Sequence, residues 1–226
     1  MDKLGHKISL IIPAHNEAEN ISRVLKVVSQ MPEFDEIIVV ADACSDQTAT
    51  VAKKFPVKVV ERTASQGKGS AMFFGTAKSQ GDILMFCDAD LETLTAEHIR
   101  QILAPVVSGQ ATMSVGLRDR AFGLRAIIPK IFPMYAISGQ RAMTREFFES
   151  LPQEGHALDF GIETVMNYHA KRQGLPVASP VLKNLRQVIK EKKWGWGQGF
   201  FARLGLMYQV WRSRFIMKYL VKYKKN

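Results

Sequence analysis

Asp88 and Asp90 stand one residue apart, directly after the apolar run DILMFC at 82–87. Side chains at i and i+2 of an extended segment point to one side, so two carboxylates so spaced can converge on one hard cation. A lone Asp-x-Asp is common, and its plain alternative is a pair of solvated turn carboxylates. Its place at the end of a strand this apolar argues against that alternative. Charges there are costly unless paired, and a metal bound to a diphosphate would pair them. Lys68, between Gly67 and Gly69, can reach phosphates if it opens a helix, aided by exposed N–H groups and the helix dipole. A solvated lysine on a surface turn is the alternative. The spacing is not that of a P-loop, and no Gly-x-Gly-x-x-Gly supports a dinucleotide site.

These residues need a scaffold, and the chain reads as alternating strands and helices. KISLII (7–12) precedes a helix with Asn16 as its expected N-cap and Ile21, Leu25 and Val28 on one face. EIIVV (36–40) precedes a helix near 46–55, VKVVE (57–61) one near 69–79, and the DILMFC strand one near 95–106. Four such units predict an α/β fold with a mostly parallel, doubly wound sheet. Ligands of open parallel sheets bind beyond the carboxyl ends of the strands. The post-strand turns are therefore candidate site: Pro13-Ala14-His15-Asn16-Glu17, Asp42-Ala43-Cys44-Ser45-Asp46, the stretch from Arg62 to Ser70, and Asp88-Ala89-Asp90.

Composition bounds the rest. With 226 residues and 46% of them hydrophobic, the chain can bury a core without staples. Mean hydropathy is −0.06, and no apolar run approaches the roughly 18 residues of a membrane span. Cys44 and Cys87 make no disulfide framework and read as packing residues. No apolar leader is evident, and the expected setting is the cytoplasm. The net charge of +10 is uneven: residues 183–226 hold 12 Lys/Arg against the single Glu191. That asymmetry points to a polyanionic partner for the C-terminal segment.

IIPAHNEAENI, VVADACSDQT, QGKGSA and FCDAD, in this order, resemble the nucleotide-sugar half of family 2 glycosyltransferases with the GT-A fold. The resemblance spans roughly residues 7–180 and implies a GT-A type domain over 1–182. Its nucleotide-sugar half would be about 7–106 and its acceptor half 107–182. It implies that Pro13, Ala14, His15 and Glu17 line the nucleoside, with Glu17 near the ribose. Asp42 would contact the base, Gly67 and Lys68 would lie near base or phosphates, and Asp88, Ala89 and Asp90 would handle ribose, diphosphate and metal. Asp90, assisted by Asp88, would hold Mg²⁺ or Mn²⁺. The second loop departs from the commoner Asp-Asp-Gly-Ser: Ala41 replaces the first Asp and Cys44 the Ser.

Ser138-Gly139-Gln140-Arg141-Ala142, Arg145-Glu146 and Phe160-Gly161-Ile162-Glu163 resemble acceptor-side motifs of polyprenyl-phosphate mannose synthases and glucosyl-3-phosphoglycerate synthases. Arg141 suits a phosphate through its planar fork, or is a structural arginine on a helix N-terminal turn. Glu163 is the acidic residue expected nearest the acceptor, or a helix N-terminal carboxylate. In some relatives a histidine near the start of the C-terminal region ligates the metal, but Asn184-Leu185-Arg186-Gln187-Val188 offers none. His6, His98, His156 and His169 read as surface or structural residues.

Over 194–226, Arg203, Arg214, Lys218, Lys222 and Lys225 recur near one helical face and Phe200, Leu204, Tyr208, Trp211 and Phe215 on another. The expectation is a basic amphipathic extension, 183–226, whose part 194–226 lies on an anionic membrane surface. A helix packed on the domain with a solvated basic face is the alternative. The apolar stretch 122–135 would suit a lipid acceptor or the core.

The reading so assembled is a non-processive, metal-dependent enzyme moving a sugar from a nucleoside diphosphate, UDP rather than GDP, to a phosphate-bearing or lipid-linked acceptor, with inversion as the family 2 expectation and retention, as in the glucosyl-3-phosphoglycerate synthases it resembles, as the alternative. The Gln-x-x-Arg-Trp of processive members is absent. A hydroxyl acceptor would need Glu163 as base, whereas an ionised phosphate would not. The alternatives are a sugar-1-phosphate nucleotidyltransferase, whose Gly-x-Gly-Thr-Arg start is missing, and a nucleic-acid-binding protein using the tail. The latter leaves the ordered carboxylate motifs unexplained, so no nucleic acid is expected.

Overall fold

A computed structural model describes residues 5–119, 138–153 and 161–188. The stretch 122–135, His156, Phe160 and the segment 194–226 lie outside the described residues. No described helix is long and apolar enough to cross a membrane.

The four expected βα units are present as β1 (Ile8–Ala14) with α1 (Ile21–Val28), β2 (Glu36–Asp42) with α2 (Thr48–Ala52), β3 (Lys58–Arg62) with α3 (Lys68–Ala77), and β4 (Ile83–Phe86) with α4 (Ala96–Val107). Then follow β5 (Met113–Val115), β6 (Leu117–Arg118), β7 (Arg141–Thr144), α5 (Arg145–Glu149), α6 (Ile162–Arg172), β8 (Val177–Ala178) and β9 (Val181–Leu182). The main sheet has the order β3-β2-β1-β4-β7-β5-β8, and β6 pairs with β9 in a second, two-stranded sheet. Strands β1 to β4 are mutually parallel, and β7 runs antiparallel to both β4 and β5. The strand order reverses at β1, which lies between β2 and β4, and this opens a crevice at the carboxyl ends of β1 and β4.

Both faces of the sheet are covered, which is why its strands read as unbroken apolar runs. Ile8, Leu10 and Ile12 pack with Ile21, Val24, Leu25 and Val28 of α1 and Ile99, Ile102 and Leu103 of α4 on one face. Ile11, Ile38 and Val40 pack with Met72 of α3, Phe147 and Phe148 of α5, and Ile162 and Met166 of α6 on the other. Each such buried side chain contributes about 1.5–3 kcal/mol against remaining exposed. Helix α3 lies unusually close to the strands: a Cβ on Gly75 would come within 2.6 Å of Ile11 and 2.9 Å of Val40. This close seat fixes the N-terminal end of α3, where Lys68 stands.

The first helix starts at Ile21 and not after Asn16. Asn16 has φ 54°, in the left-handed region that a helix cannot include. Its Oδ1 instead accepts from the backbone N–H of Ser45 at 2.8 Å and of Asp46 at 3.3 Å. A residue expected to cap its own helix thus ties the β1 loop to the β2 loop.

Candidate active site

The nucleoside end of the crevice is built from the turns after β1, β2 and β3. Pro13 and Ala14 close β1 beside Val40 and Ala41. His15 is exposed, and its Nδ1 lies 2.6 Å from the carbonyl of Asp42. A carbonyl only accepts, so Nδ1 carries the proton. Glu17 is buried, its backbone N–H donating to Thr48 Oγ1 at 2.7 Å and its Oε2 accepting from Asn20 at 2.9 Å. Asp42 is 4% exposed. Its Oδ2 accepts from Ser65 Oγ at 2.6 Å, and its Oδ1 faces Arg62 Nη1 at 3.2 Å. That last approach is an ion pair without hydrogen-bond geometry: among the described residues neither Asp42 Oδ1 nor Arg62 Nη1 has a hydrogen-bond partner.

The carboxylate centre lies at the end of β4. Gly67, at φ 96°, turns the chain into α3 and leaves Lys68 as its first residue. Lys68 Nζ donates to Asp88 Oδ1 and to Glu163 Oε1, each at 2.7 Å. Glu163 sits in the first turn of α6 and is 7% exposed. The second oxygen of Asp88 accepts from Gln140 Nε2 at 2.8 Å, and Gln140 in turn accepts from Ser138. Gly139 presses on the Asp88 carboxylate, leaving no room for a Cβ. Burial raises the Asp88 pKa, but the Lys68 charge and hydrogen bond, with Gln140 and Arg118, bring it below the usual carboxylate range. Burial opposes the Lys68 charge, yet Asp88 and then Glu163 carry its pKa above the usual lysine value.

The segment 183–188 is sewn to the turn that carries Asp90. Glu92 N–H donates to the Arg186 carbonyl at 2.9 Å and Val188 N–H to the Asp90 carbonyl at 3.0 Å. Thr93 Oγ donates to the Asn184 carbonyl and accepts from Arg186 N–H. His98 Nδ1 accepts from Thr95 N–H, so its Nε2 donates to the Lys183 carbonyl at 2.8 Å. The structural role expected for His98 is what the fold gives it. This strap delivers Gln187, whose Nε2 donates to Asp90 Oδ1 at 2.7 Å and to Asp88 Oδ2 at 3.4 Å. Its Oε1 accepts from Arg118 at 2.5 Å.

One donor nitrogen reaching both carboxylates shows that Asp88 and Asp90 converge, as the expected shared cation requires. Ala89 between them is buried. Among the described residues no group of three or more His, Cys, Asp or Glu side chains is placed to hold a metal ion. The pair therefore fits a hard cation only with further oxygen donors, which a diphosphate carries.

Arg141 opens β7, an antiparallel strand between β4 and β5, and is 0% exposed. Its Nε donates to the Ser138 carbonyl at 2.7 Å and its Nη1 to Asn167 Oδ1 at 2.7 Å. It lies beneath the carboxylate centre rather than on a helix turn or at the crevice surface. Burial lowers its pKa to about 10 against the pull of Glu163 and Asp88, so it remains charged at neutral pH. Cys87 is buried with its thiol pKa pushed up by burial, then by Asp88 and Asp90, as suits a packing residue.

The fold thus brings Lys68, Asp88, Asp90 and Glu163 together, and sets Pro13, Ala14, His15, Glu17 and Asp42 at the other end of the crevice. Sequence reading included Gln140 in the Ser138–Ala142 motif and Arg62 and Ser65 in the stretch after the third strand without giving them roles, and it did not single out Gln187 or Arg118.

Comparison with known proteins bears on this arrangement. Glycosyl transferase family 2 matches residues 9–160. A 4,4'-diaponeurosporenoate glycosyltransferase of Staphylococcus haemolyticus is 31% identical over 71% of this chain and 44% of its own length. A glucosyl-3-phosphoglycerate synthase of Mycolicibacterium smegmatis is 26% identical over 71% of this chain and 64% of its own length. The chain thus spans between under half and under two thirds of these relatives. Glucosyl-3-phosphoglycerate synthase from Mycobacterium tuberculosis, solved with Mn²⁺, UDP and glucosyl-3-phosphoglycerate, superposes with a TM-score of 0.75 at 24% identity, over 93% of this chain and 79% of that one. The same enzyme solved with Mg²⁺ and UDP gives a TM-score of 0.69 at 25% identity, over 82% and 73%. The doubly wound sheet is therefore of the GT-A type, and the chain belongs to glycosyl transferase family 2.

Proposed function

We propose that this chain transfers one sugar at a time from a UDP-sugar to a phosphate-bearing or lipid-linked acceptor, with a divalent cation and with inversion. The observation that carries this reading is the convergence of Asp88, held by Lys68, with Asp90 at the end of β4, while Asp42 stands at the end of β2. A nucleoside diphosphate presents a base at one end and two phosphates at the other, and the crevice carries groups suited to each.

The surroundings of Asp42 favour uracil. Uracil offers one N–H between two carbonyls, and Asp42 Oδ1 and Arg62 Nη1, which face each other in a buried ion pair at 3.2 Å, are an acceptor and a donor that would turn from each other to such a base. Guanine offers two adjacent donors and calls for both carboxylate oxygens, one of which already holds the Ser65 hydroxyl.

A divalent cation, Mg²⁺ or Mn²⁺ as bound by the M. tuberculosis enzyme, would be held by Asp90 assisted by Asp88, and supplies positive charge against the leaving diphosphate. Lys68 holds Asp88 in its ionised form, and Arg141 adds charge from below through the field rather than by contact. Glu163 orients Lys68 through Oε1. With an acceptor hydroxyl, Glu163 takes the proton; with an acceptor phosphate, already ionised, its hold on Lys68 suffices. Phosphoglycerate and glycerol 3-phosphate, ligands seen in the M. tuberculosis enzyme, carry a hydroxyl beside their phosphate, so an acceptor of that kind belongs to the first case.

The basic composition of 194–226 supports a further element of this reading, contact with an anionic membrane surface that would present a lipid-linked acceptor. A shortened chain ending at residue 211 should bind anionic vesicles more weakly while keeping its donor affinity. Unchanged vesicle binding removes this element alone.

The deciding experiment is a thermal-shift series of the folded protein with UDP- and GDP-sugars, with and without Mn²⁺ or Mg²⁺. Metal-dependent stabilisation by UDP-sugars is expected, since a ligand of the native state raises its stability. No response to any donor would overturn the reading.

A further inference from the structure

The turn Ser138-Gly139-Gln140 ahead of β7 resembles an acceptor-side motif in sequence, yet its contacts run to the donor side. Ser138 is 5%, Gln140 1% and Arg141 0% exposed, so none of these three side chains lies at the surface. Gln140 Nε2 donates to Asp88 Oδ2 at 2.8 Å, while Lys68 Nζ holds Oδ1 at 2.7 Å. We propose that Gln140 is a positioning residue for the donor: together with Lys68 it fixes the rotation of the Asp88 carboxylate, so that the remaining lone pairs of Asp88 meet the cation and diphosphate in one set direction.

The fold mounts this carboxamide rigidly. Phe86 pairs with Arg141 in the antiparallel register of β4 and β7, which carries Gly139 and Gln140 alongside Asp88 just beyond the end of β4. The Gln140 carbonyl accepts from Gly116 N–H at 2.9 Å, tying its backbone to the end of β5 as well. Gly139 lies against the Asp88 carboxylate, where a Cβ would have no room. The far end of the side chain is held too, with Oε1 accepting from Ser138 Oγ at 2.8 Å. An ionised carboxylate only accepts, so the amide nitrogen must face it, and the Ser138 hydroxyl answers at the amide oxygen.

Lys68 and Gln140 do different things for Asp88. The ammonium supplies charge, but a single donor at Oδ1 leaves the carboxylate free to turn about its Cβ–Cγ bond. A second donor at Oδ2, carried at the start of a strand, stops that turn. The Gln187 amide stands farther from Oδ2, at 3.4 Å, and the shorter bond from Gln140 sets the plane. Each carboxylate oxygen has two lone pairs, so one hydrogen bond on each leaves acceptor capacity for the donor complex. The inference rests on the donor-site reading above, and its test separates the two.

The experiment is isothermal titration of UDP into the full chain with and without Mn²⁺, on the wild type, Gln140→Met and Ser138→Ala. Methionine keeps the length of the side chain and removes the N–H. In the wild type, Mn²⁺ should tighten UDP binding. In Gln140→Met the affinity with Mn²⁺ should fall roughly 10–100-fold, the usual cost of losing a group that orients a metal-binding side chain, while the affinity without Mn²⁺ stays unchanged. Ser138→Ala leaves Gln140 in place but releases its Oε1, and should lose about 2–10-fold with Mn²⁺, the worth of one hydrogen bond. Wild-type affinity with Mn²⁺ in Gln140→Met would overturn the proposal. So would an equal loss with and without Mn²⁺, which marks a residue that only holds the fold together. If Gln140→Met does not fold, Ser138→Ala decides, and unchanged affinity in that variant overturns the proposal. A wild type whose UDP binding gains nothing from Mn²⁺ would bring down the donor-site reading and this inference together.

Discussion

Lys68 Nζ stands 2.7 Å from Glu163 Oε1 although 95 positions separate them in the chain, and it is equally close to Asp88. One ammonium thus joins the helix after β3, the turn after β4 and the start of α6. The three side chains are each under a fifth exposed, so the contact is shielded from the solvent that weakens surface pairs.

Replacing Lys68 with methionine keeps the length of the side chain and removes its charge, leaving two buried carboxylates facing each other. Breaking a buried pair from one side costs about 3–5 kcal/mol. Lys68→Met should lower the urea midpoint accordingly, and Lys68→Arg should restore part of the loss. A midpoint unchanged in Lys68→Met would show that the bridge does not hold these elements together.

Asp90 differs from Asp88 in its surroundings. Lys68, Gln140 and Gly139 hold the Asp88 carboxylate on several sides, whereas Gln187 approaches Asp90 from the strap. Asp90→Ala should abolish metal-dependent stabilisation by UDP-sugars and all turnover. Wild-type turnover in this variant would remove Asp90 from the chemistry.

Much of this site was legible before the fold was known because a parallel sheet gathers its post-strand turns at one end. Glu17, Asp42, Lys68, Asp88 and Asp90 all follow strands or open helices, and local pattern marks those places. Gln187 carries no such mark. It reaches Asp90 through a strap 97 positions away, held by backbone hydrogen bonds and by Thr93 and His98, long-range contacts that local pattern does not encode. Asn16 misled for a different reason: asparagine is favoured both at helix N-caps and in the left-handed region, and only the neighbouring loop decides between them. Arg141 was readable as a cation near a glycine, but its burial follows from β7 inserting antiparallel between β4 and β5, a long-range pairing that local pattern does not encode.

His169, on α6, gives a pH dependence away from the site. Its Nε2 lies 2.7 Å from Gln173 Nε2 and 3.2 Å from Ser150 Oγ. An amide nitrogen only donates, so the imidazole accepts there and is neutral. Burial first and Arg172 second lower its pKa below the ordinary histidine value. A base whose folded pKa is depressed contributes stability above its unfolded pKa, near 6.5, and loses that contribution as pH falls through the lowered value. The melting temperature should drop on moving from pH 7 to pH 5, and the drop should be smaller in His169→Gln. Parallel pH profiles for the two proteins would show that His169 does not contribute.

Ser65 sets which base Asp42 can accept. The hydroxyl takes Asp42 Oδ2 at 2.6 Å, while Oδ1 faces Arg62 without a hydrogen bond. With Oδ2 already holding the Ser65 hydroxyl, Oδ1 is the oxygen without a hydrogen bond, and it matches the lone N–H of uracil. Ser65→Ala releases the second oxygen and presents the paired acceptors that guanine's two N–H groups require. A hydrogen bond of this kind is worth about 0.5–1.5 kcal/mol, so the preference for UDP over GDP should narrow by up to about tenfold. Isothermal titration of both nucleotides against the two proteins measures this directly. The direction is the critical result: weaker UDP binding with no gain for GDP would mean that Ser65 only steadies the loop, whereas a gain for GDP at similar UDP affinity identifies the hydroxyl as the group that closes Asp42 to guanine.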